Sequence, residues 1–377
     1  MALMVPFHGS FPWFLSVVHR GMRSDILRLA SRESEPMRMS LRAVDLLVRW
    51  MACCAIVSAV LTVANRAGAQ SGSPALLVLE KGDEQLAIVD PSSLKVVGRV
   101  ASGGAPHEVV SSDDGKYAYI SNYASEKGML KTLSVVDLTA QKAVATVDLG
   151  ALRAPHGLAF ADGKVYFTAE ANKVIGRYDP ASNQVDWVLG TGQNVTHMIV
   201  LSKDLKTIFT SNIGSDSICI IEPGGGRNGW NVTAIPVGKG PEGMDLSPDG
   251  REVWAANSGA GSVSVIDVAS KRVTASLDVK TKRSNRLKFT PDGKLVLISD
   301  DGGGELVFVD AARRTERKRL KVGQGPEGTL VQPDGAKAYV ALSGENAVAV
   351  VDLKSLEVTA KIATGTGPDG LAWAQRR

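Results

Sequence analysis

Beyond Gln70 the apolar residues fall in short runs, each closed by a cluster of Gly, Pro, Asp, Asn or Ser. One unit recurs. In its clearest copy Pro241-Glu242-Gly243 leads into Met244-Asp245-Leu246 and a tight turn, Ser247-Pro248-Asp249-Gly250. Glu252-Val253-Trp254-Ala255-Ala256-Asn257 follows, then a Gly/Ser loop, then Ser262-Val263-Ser264-Val265-Ile266-Asp267 and Arg272-Val273-Thr274-Ala275-Ser276-Leu277. These runs are rich in β-branched residues and too short for a helical face, so each predicts a strand, four to a unit. The acid ending the third strand recurs at Asp90, Asp137, Asp179, Glu222, Asp267, Asp310 and Asp352, in steps of 42 to 47 residues. The polar residue opening the unit recurs at His107, His156, His197, Glu242, Asn285, Glu327 and Asp369. Both markers count seven copies, and a four-stranded unit of this period is one blade of a β-propeller.

The predicted fold class is therefore all-β, a seven-bladed β-propeller of four-stranded antiparallel blades over residues 70–377. Its first three strands, Leu76–Glu80, Leu86–Asp90 and Lys95–Val100, match the second to fourth of a unit. Its last, Gly370-Leu371-Ala372-Trp373-Ala374, matches a first. Pairing the C-terminal strand with the N-terminal three closes the ring and covers the free sheet edges.

Tyr339-Val340-Ala341 with Asn346-Ala347-Val348-Ala349-Val350-Val351-Asp352 resembles the YVTN-family propeller repeat. So do Val253-Trp254-Ala255-Ala256-Asn257 with Val263-Ser264-Val265-Ile266-Asp267, and Tyr119-Ile120-Ser121-Asn122 with Leu133-Ser134-Val135-Val136-Asp137. The likeness spans 73–377. It implies the fold and leaves the activity open, because that family includes surface proteins, binding proteins and enzymes. The Gly-His and Trp-Asp pairs of WD-repeat propellers are absent.

The N-terminal region changes the expected setting. Residues 39–69 read as a signal peptide: Arg42 and Arg49 flank an uncharged apolar run, Trp50 to Ala64, and Ala67-Gly68-Ala69 is a small-x-small cleavage pattern. An exported protein is expected, periplasmic or extracellular, attached to a membrane only if that segment stays uncleaved. Met37 or Met39 would be a natural start for this signal, and residues 1–38 read as an over-extended reading frame or a poorly ordered extension. Of the 43 basic and 39 acidic side chains, eight arginines and four acids precede Gln70, so the body carries thirty-five of each. A neutral body argues against nucleic-acid binding. Beyond the leader Cys219 is the sole cysteine, flanked by Ile218 and Ile220 in an apolar strand, so no internal disulfide is expected and the thiol reads as buried. A monomer is expected.

Candidate chemistry gathers on one face. In an up-and-down blade the start of the first strand and the loop after the second share a face, opposite the Pro-Asp-Gly turns. The seven opening residues, and the second-strand ends Glu80, Asn122, Glu170, Asn212, Asn257, Asp300 and Leu342, are then expected to ring the channel mouth as two concentric circles, polar at all but one position. The three histidines beyond the leader, His107, His156 and His197, open consecutive units. A polar side chain there can simply bond neighbouring main chain, as Glu, Asn and Asp do elsewhere. Three imidazoles on adjacent blades can also converge on a divalent transition metal, zinc or copper, with Glu170, Asn122 or Glu242 as orienting groups or a fourth ligand.

Streptogramin lyase is a seven-bladed propeller whose repeats resemble Pro155-His156-Gly157-Leu158-Ala159. That resemblance implies a histidine and acids at the mouth with a divalent metal. The propeller of nitrous-oxide reductase holds a copper cluster in a ring of histidines, more than the three found here. The expected function is a ligand- or protein-binding scaffold acting through the polar face. The binding set is His107, His156, His197, Glu242, Glu327, Asp369, Asn122, Asn212, Asn257 and Asp300. A rival reading is a metal-dependent lyase or hydrolase, with His156, His197, Glu170 and Glu242 as catalytic candidates. A third is a propeller subunit of a periplasmic redox complex. The stretch Tyr123–Leu130 is longer than its counterparts and reads as a lid or a tolerated insertion. The basic run Arg313–Arg319 reads as a solvated turn.

Overall fold

The computed structural model describes residues 72–224 and 229–375. The described residues fall within one compact unit, 70–377. The extension and the signal peptide read from the sequence lie outside the described residues.

Residues 72–375 form seven four-stranded antiparallel sheets. Blade 1 comprises Pro106–Ser111, Tyr117–Ser125, Gly128–Asp137 and Lys142–Asp148; blade 2 comprises Pro155–Ala161, Lys164–Ala169, Val174–Asp179 and Gln184–Gly190. Blade 3 begins at Thr196–Leu201, blade 4 at Pro241–Leu246, blade 5 at Ser284–Phe289 and blade 6 at Pro326–Val331. Blade 7 pairs Pro368–Ala374 with Ala75–Glu80, in the register Leu76↔Trp373, Leu77↔Ala372 and Val78↔Leu371. This is the ring closure expected from the partial repeats at the two ends.

The recurring residues now have physical roles. The aspartates ending six of the third strands fold the turn to the fourth: Asp267 Oδ1 accepts from the Ser270 N–H at 2.7 Å, and Asp352 Oδ1 from the Ser355 N–H at 2.7 Å, whereas Glu222 pairs with Lys271. In the Ser-Pro-Asp-Gly turn the Ser247 hydroxyl donates to Asp249 at 2.6 Å, and Gly250 holds the left-handed conformation, φ 75°. Middle strands are largely buried on both faces, so they are mostly apolar, with small polar residues such as Ser121, Ser211 and Ser264 among them. Trp254, Val263, Val265, Leu287 and Val296 form one inter-blade cluster between blades 4 and 5.

The Pro-x-Gly opening is explained by how closely the inner strands approach. A Cβ on Gly157 would overlap the backbone of the next inner strand, at His197 O and Met198 Cα. Gly243, Gly328 and Gly370 occupy the same slot in their blades. We predict that Gly157→Ala lowers unfolding free energy by about 1–3 kcal/mol, measured by urea denaturation. An unchanged midpoint would show that the inner strands can separate without cost.

Two expectations are revised. Tyr123–Leu130 is no loop: it prolongs two strands into a hairpin, with Ala124 opposite Met129 and Ser125 opposite Gly128. The basic run at Arg313 extends beyond its turn into the outer strand Thr315–Lys321. There Arg313, Arg314 and Arg319 are paired with Asp310, Glu252 and Glu305. Cys219 is buried, and burial raises its thiol pKa, so it behaves as a small apolar residue. Among the described residues no helix is long and apolar enough to cross a membrane.

Candidate functional site

All seven opening residues, His107, His156, His197, Glu242, Asn285, Glu327 and Asp369, line one cavity of about 310 Å³. They meet because each is the second residue of an inner strand, the point at which the chain enters the channel wall.

The histidines converge. Ring centroids of His107 and His156 lie 4.9 Å apart, and those of His156 and His197 3.8 Å apart. His107 Nδ1 lies 2.7 Å from the Ala105 carbonyl, and His197 Nδ1 lies 2.6 Å from Glu170 Oε1. A carbonyl or carboxylate oxygen only accepts, so each Nδ1 carries a proton, and the neutral form of each ring has its lone pair on Nε2. The other Glu170 oxygen accepts from the Tyr123 hydroxyl at 2.7 Å. Tyr123 stands on the hairpin of blade 1, its ring 4.7 Å from that of His107. His197 Nε2 and His156 Nδ1 are buried and have no partner. One ligand atom each from His156, Glu170 and His197 lies within 4.8 Å of the others. The structure thus replaces the expected triplet of histidines by two histidines and Glu170 as the tightest set, with His107 beside it.

Burial is the main force holding His156 well below the usual histidine pKa of 6.5, with His197, His107, Arg286 and Lys81 adding to it. Burial also lowers His107, against the pull of Asp369. Both rings are therefore neutral at neutral pH, the form that binds metals. The sign follows: below pH about 6.5 the unfolded chain takes up protons that the folded His156 refuses, so stability falls as pH falls. We predict a decline of up to about 1.4 kcal/mol per pH unit and per depressed histidine between pH 6.5 and 5. In His156→Gln the slope should be shallower. An equal slope in parent and variant would remove His156 from the account.

Blades 6 and 7 supply an ionic cluster. Lys81 Nζ donates to Asp369 Oδ2 at 2.9 Å and to Glu327 Oε2 at 3.3 Å. Burial alone would raise the Asp369 carboxyl, but Lys81, Arg286 and His107 hold it below the usual range. Burial and the neighbouring Asp369 raise Glu327. Asp369 Oδ1 is buried without a partner. Beneath the cavity, Arg286 of blade 5 pairs across the channel with Glu108 of blade 1 and bonds Asn285 at 2.9 Å. Arg286 also lines a second, more apolar cavity of about 350 Å³ that includes Phe160, Leu371 and Trp373.

The second expected circle is absent. Asn122, Asn212, Asn257, Asp300 and Glu80 are buried within their own blades. Asn122 Oδ1 accepts from the Gly103 N–H at 3.1 Å, and its Nδ2 donates to Thr132 and Ser134 at 3.0 Å. Asn212 Nδ2 reaches the Ser217 hydroxyl at 3.3 Å, and Asn257 Nδ2 the Ser262 and Ser264 hydroxyls at 3.0 Å. Asp300 accepts from the Lys282 and Arg283 N–H groups, and Glu80 from that of Gly365 at 2.6 Å. Asn122, Asp300 and Glu80 thus pin entry loops, and Asn212 and Asn257 tie the second strand to the third. The register explains the difference: Pro106 pairs with Asn122, Thr196 with Asn212 and Pro155 with Ala169. Glu170 is thus one residue beyond the strand end, level with Lys81, Tyr123, Ile213 and Asp301, which do line the mouth. One residue of shift turns a strand side chain to the other face. Counting one position further, as already at Glu170, would have found Lys81, Tyr123 and Asp301 in their units. Glu108 and Arg286 were legible too, as charged residues in the slot that is glycine in four blades.

A family model described as a YNCE-like beta-propeller matches residues 37–230, and one described as a Choice-of-anchor I domain matches 223–367. No curated protein matches the chain. Among solved structures, Kuenenia stuttgartiensis hydrazine synthase is similar at 21% identity and TM-score 0.61, over 71% of this chain and 89% of that one. Dihydro-heme d1 dehydrogenase NirN in complex with DHE is similar at 16% identity and TM-score 0.56, over 79% and 74%. A protein from Lactobacillus plantarum is similar at 15% identity and TM-score 0.66, over 80% and 99%. At these identities the likeness shows the fold alone.

Proposed function

The chain belongs to the YNCE-like β-propeller family, and from that fold and the chemistry of its mouth we propose that it binds a small molecule there beside a divalent transition metal, zinc or copper. One observation carries the reading: His156 and His197 line the cavity, and one buried nitrogen of each, His156 Nδ1 and His197 Nε2, has no protein partner. Buried polar atoms are rarely left so, and a metal ion satisfies both. Glu170 then orients His197 from behind, the carboxylate–histidine arrangement that fixes the tautomer of a metal ligand, and Tyr123 holds Glu170 in turn. His107, its Nδ1–H committed to Ala105, offers a third nitrogen.

The lining charges support a cation. Five carboxylates (Glu170, Glu242, Asp301, Glu327 and Asp369) stand against Lys81, Arg283 and Arg286, a formal excess of two negative charges. When bound, the metal would supply a Lewis acid open to the cavity, which suits lyase or hydrolase chemistry. His197 Nε2, with Glu170 behind it, is the candidate base in a metal-free alternative. The redox-subunit reading rests on the likeness to hydrazine synthase and NirN, and the cavity, near the small end of the usual ~300–1,000 Å³ range, suits a compact ligand better than a macrocycle. Export follows from the leader reading and is part of the proposal. Calorimetric titration of chelator-stripped protein with zinc and with copper tests the metal. One near-stoichiometric tight site is expected; no uptake of either ion would overturn the reading.

A further inference from the structure

The mouth asks for hydrogen-bond donors and offers few. Lys81 is held by Asp369 and Glu327, Arg283 pairs with Asp301, and Arg286 with Glu108 and Asn285. Three lining atoms are buried without a partner: His156 Nδ1, whose role follows the ring's tautomer, and two acceptors, Asp369 Oδ1 and the Nε2 of a neutral His197 whose Nδ1–H bonds Glu170. Asp369 is 3% exposed, and against that burial Lys81, Arg286 and His107 hold its carboxyl below the usual range, so its unpartnered Oδ1 is a buried, charged acceptor that is costly to leave without a donor. Lys81 shows which group suits this wall, because its primary ammonium already bridges the two carboxylates. An anion entering here would meet the formal excess of negative charge and find every lining cation engaged.

We propose that the small molecule taken by this mouth is a cation, a primary ammonium or guanidinium compound, whose N–H donors complete Asp369 Oδ1 beside Glu327. The inference deepens the proposed function and rests on the mouth being a ligand site; it does not require the metal. A metal dication would cancel the charge excess, so the selectivity is strongest in metal-free protein.

The test is calorimetric titration of the full chain, stripped with EDTA, against 1,4-diaminobutane, 1,4-butanediol and succinate. These share one carbon chain and are cationic, neutral and anionic. The diamine is expected to bind at least about tenfold more tightly than the diol, as charge-assisted hydrogen bonds do, with succinate weakest. Asp369→Asn, shown folded by its melting transition, should bring the diamine down to the diol. Glu327→Gln serves if that variant does not fold, with a smaller loss in the same direction. A flat or reversed order in the parent, or no binding of any of the three, overturns the proposal. Zinc titration of the same protein separates the two ideas. Zinc uptake with a flat charge series defeats the cation inference alone, and a clear charge series without zinc uptake defeats the metal alone.

Discussion

His197→Ala is expected to lower zinc affinity by more than about a hundredfold and to leave the propeller folded. The magnitude follows from comparison with Glu170, which would act on the proposed metal through His197. Loss of such an orienting carboxylate typically costs about 10–100-fold in metal affinity, so Glu170→Gln should fall in that range and Tyr123→Phe at or below its lower end. Loss of the ligating nitrogen itself must exceed both. The ordering His197→Ala, then Glu170→Gln, then Tyr123→Phe is the signature of a chain of bonds running from the blade 1 hairpin to the mouth. Equal losses in all three would indicate general loosening of the rim. Calorimetry with zinc, beside a circular dichroism melt of each variant, distinguishes the outcomes.

Arg286→Met is expected to cost about 3–5 kcal/mol of stability, the usual penalty for stranding a buried charge. Arg286 is 5% exposed and faces Glu108, Glu242 and Asp369, three acids on three different blades. Its own pKa is raised because Glu108, Asp369 and Glu242 together outweigh the cost of burial. Removing it leaves those carboxylates to repel one another in the channel. The double variant Arg286→Met/Glu108→Leu should recover much of the loss, since a buried pair replaced by apolar side chains is often neutral. Urea denaturation measures both. A single variant as stable as the parent would show that the channel is wet enough to screen the charges.

How much of this was legible in the sequence follows from what strands encode. The blade count, the ring closure and the convergence of His107, His156 and His197 all depend on a period and on which end of a strand is the start, and a repeat displays both. The rim residues depend on where a strand ends to within one position. That boundary is set by pairing, as in Pro155 opposite Ala169, and no local pattern marks it. Hence Asn122, Asn212, Asn257 and Asp300 look like mouth residues in sequence and prove to be staples inside blades, while Lys81 and Tyr123 one step on carry the mouth. The Tyr123–Leu130 excess reads as a lid or a tolerated insertion because it is longer than its counterparts. Length alone does not show that cross-strand pairing continues through it, Ala124 opposite Met129 and Ser125 opposite Gly128.

The central claim is that the histidine cluster at the mouth holds a transition metal. Elemental analysis of protein purified without chelators, beside the His107→Ala/His156→Ala/His197→Ala variant, tests it most directly. The account predicts close to one equivalent of zinc or copper in the parent and none in the folded variant. A parent that is metal-free as purified and stays so after incubation with either ion would contradict it.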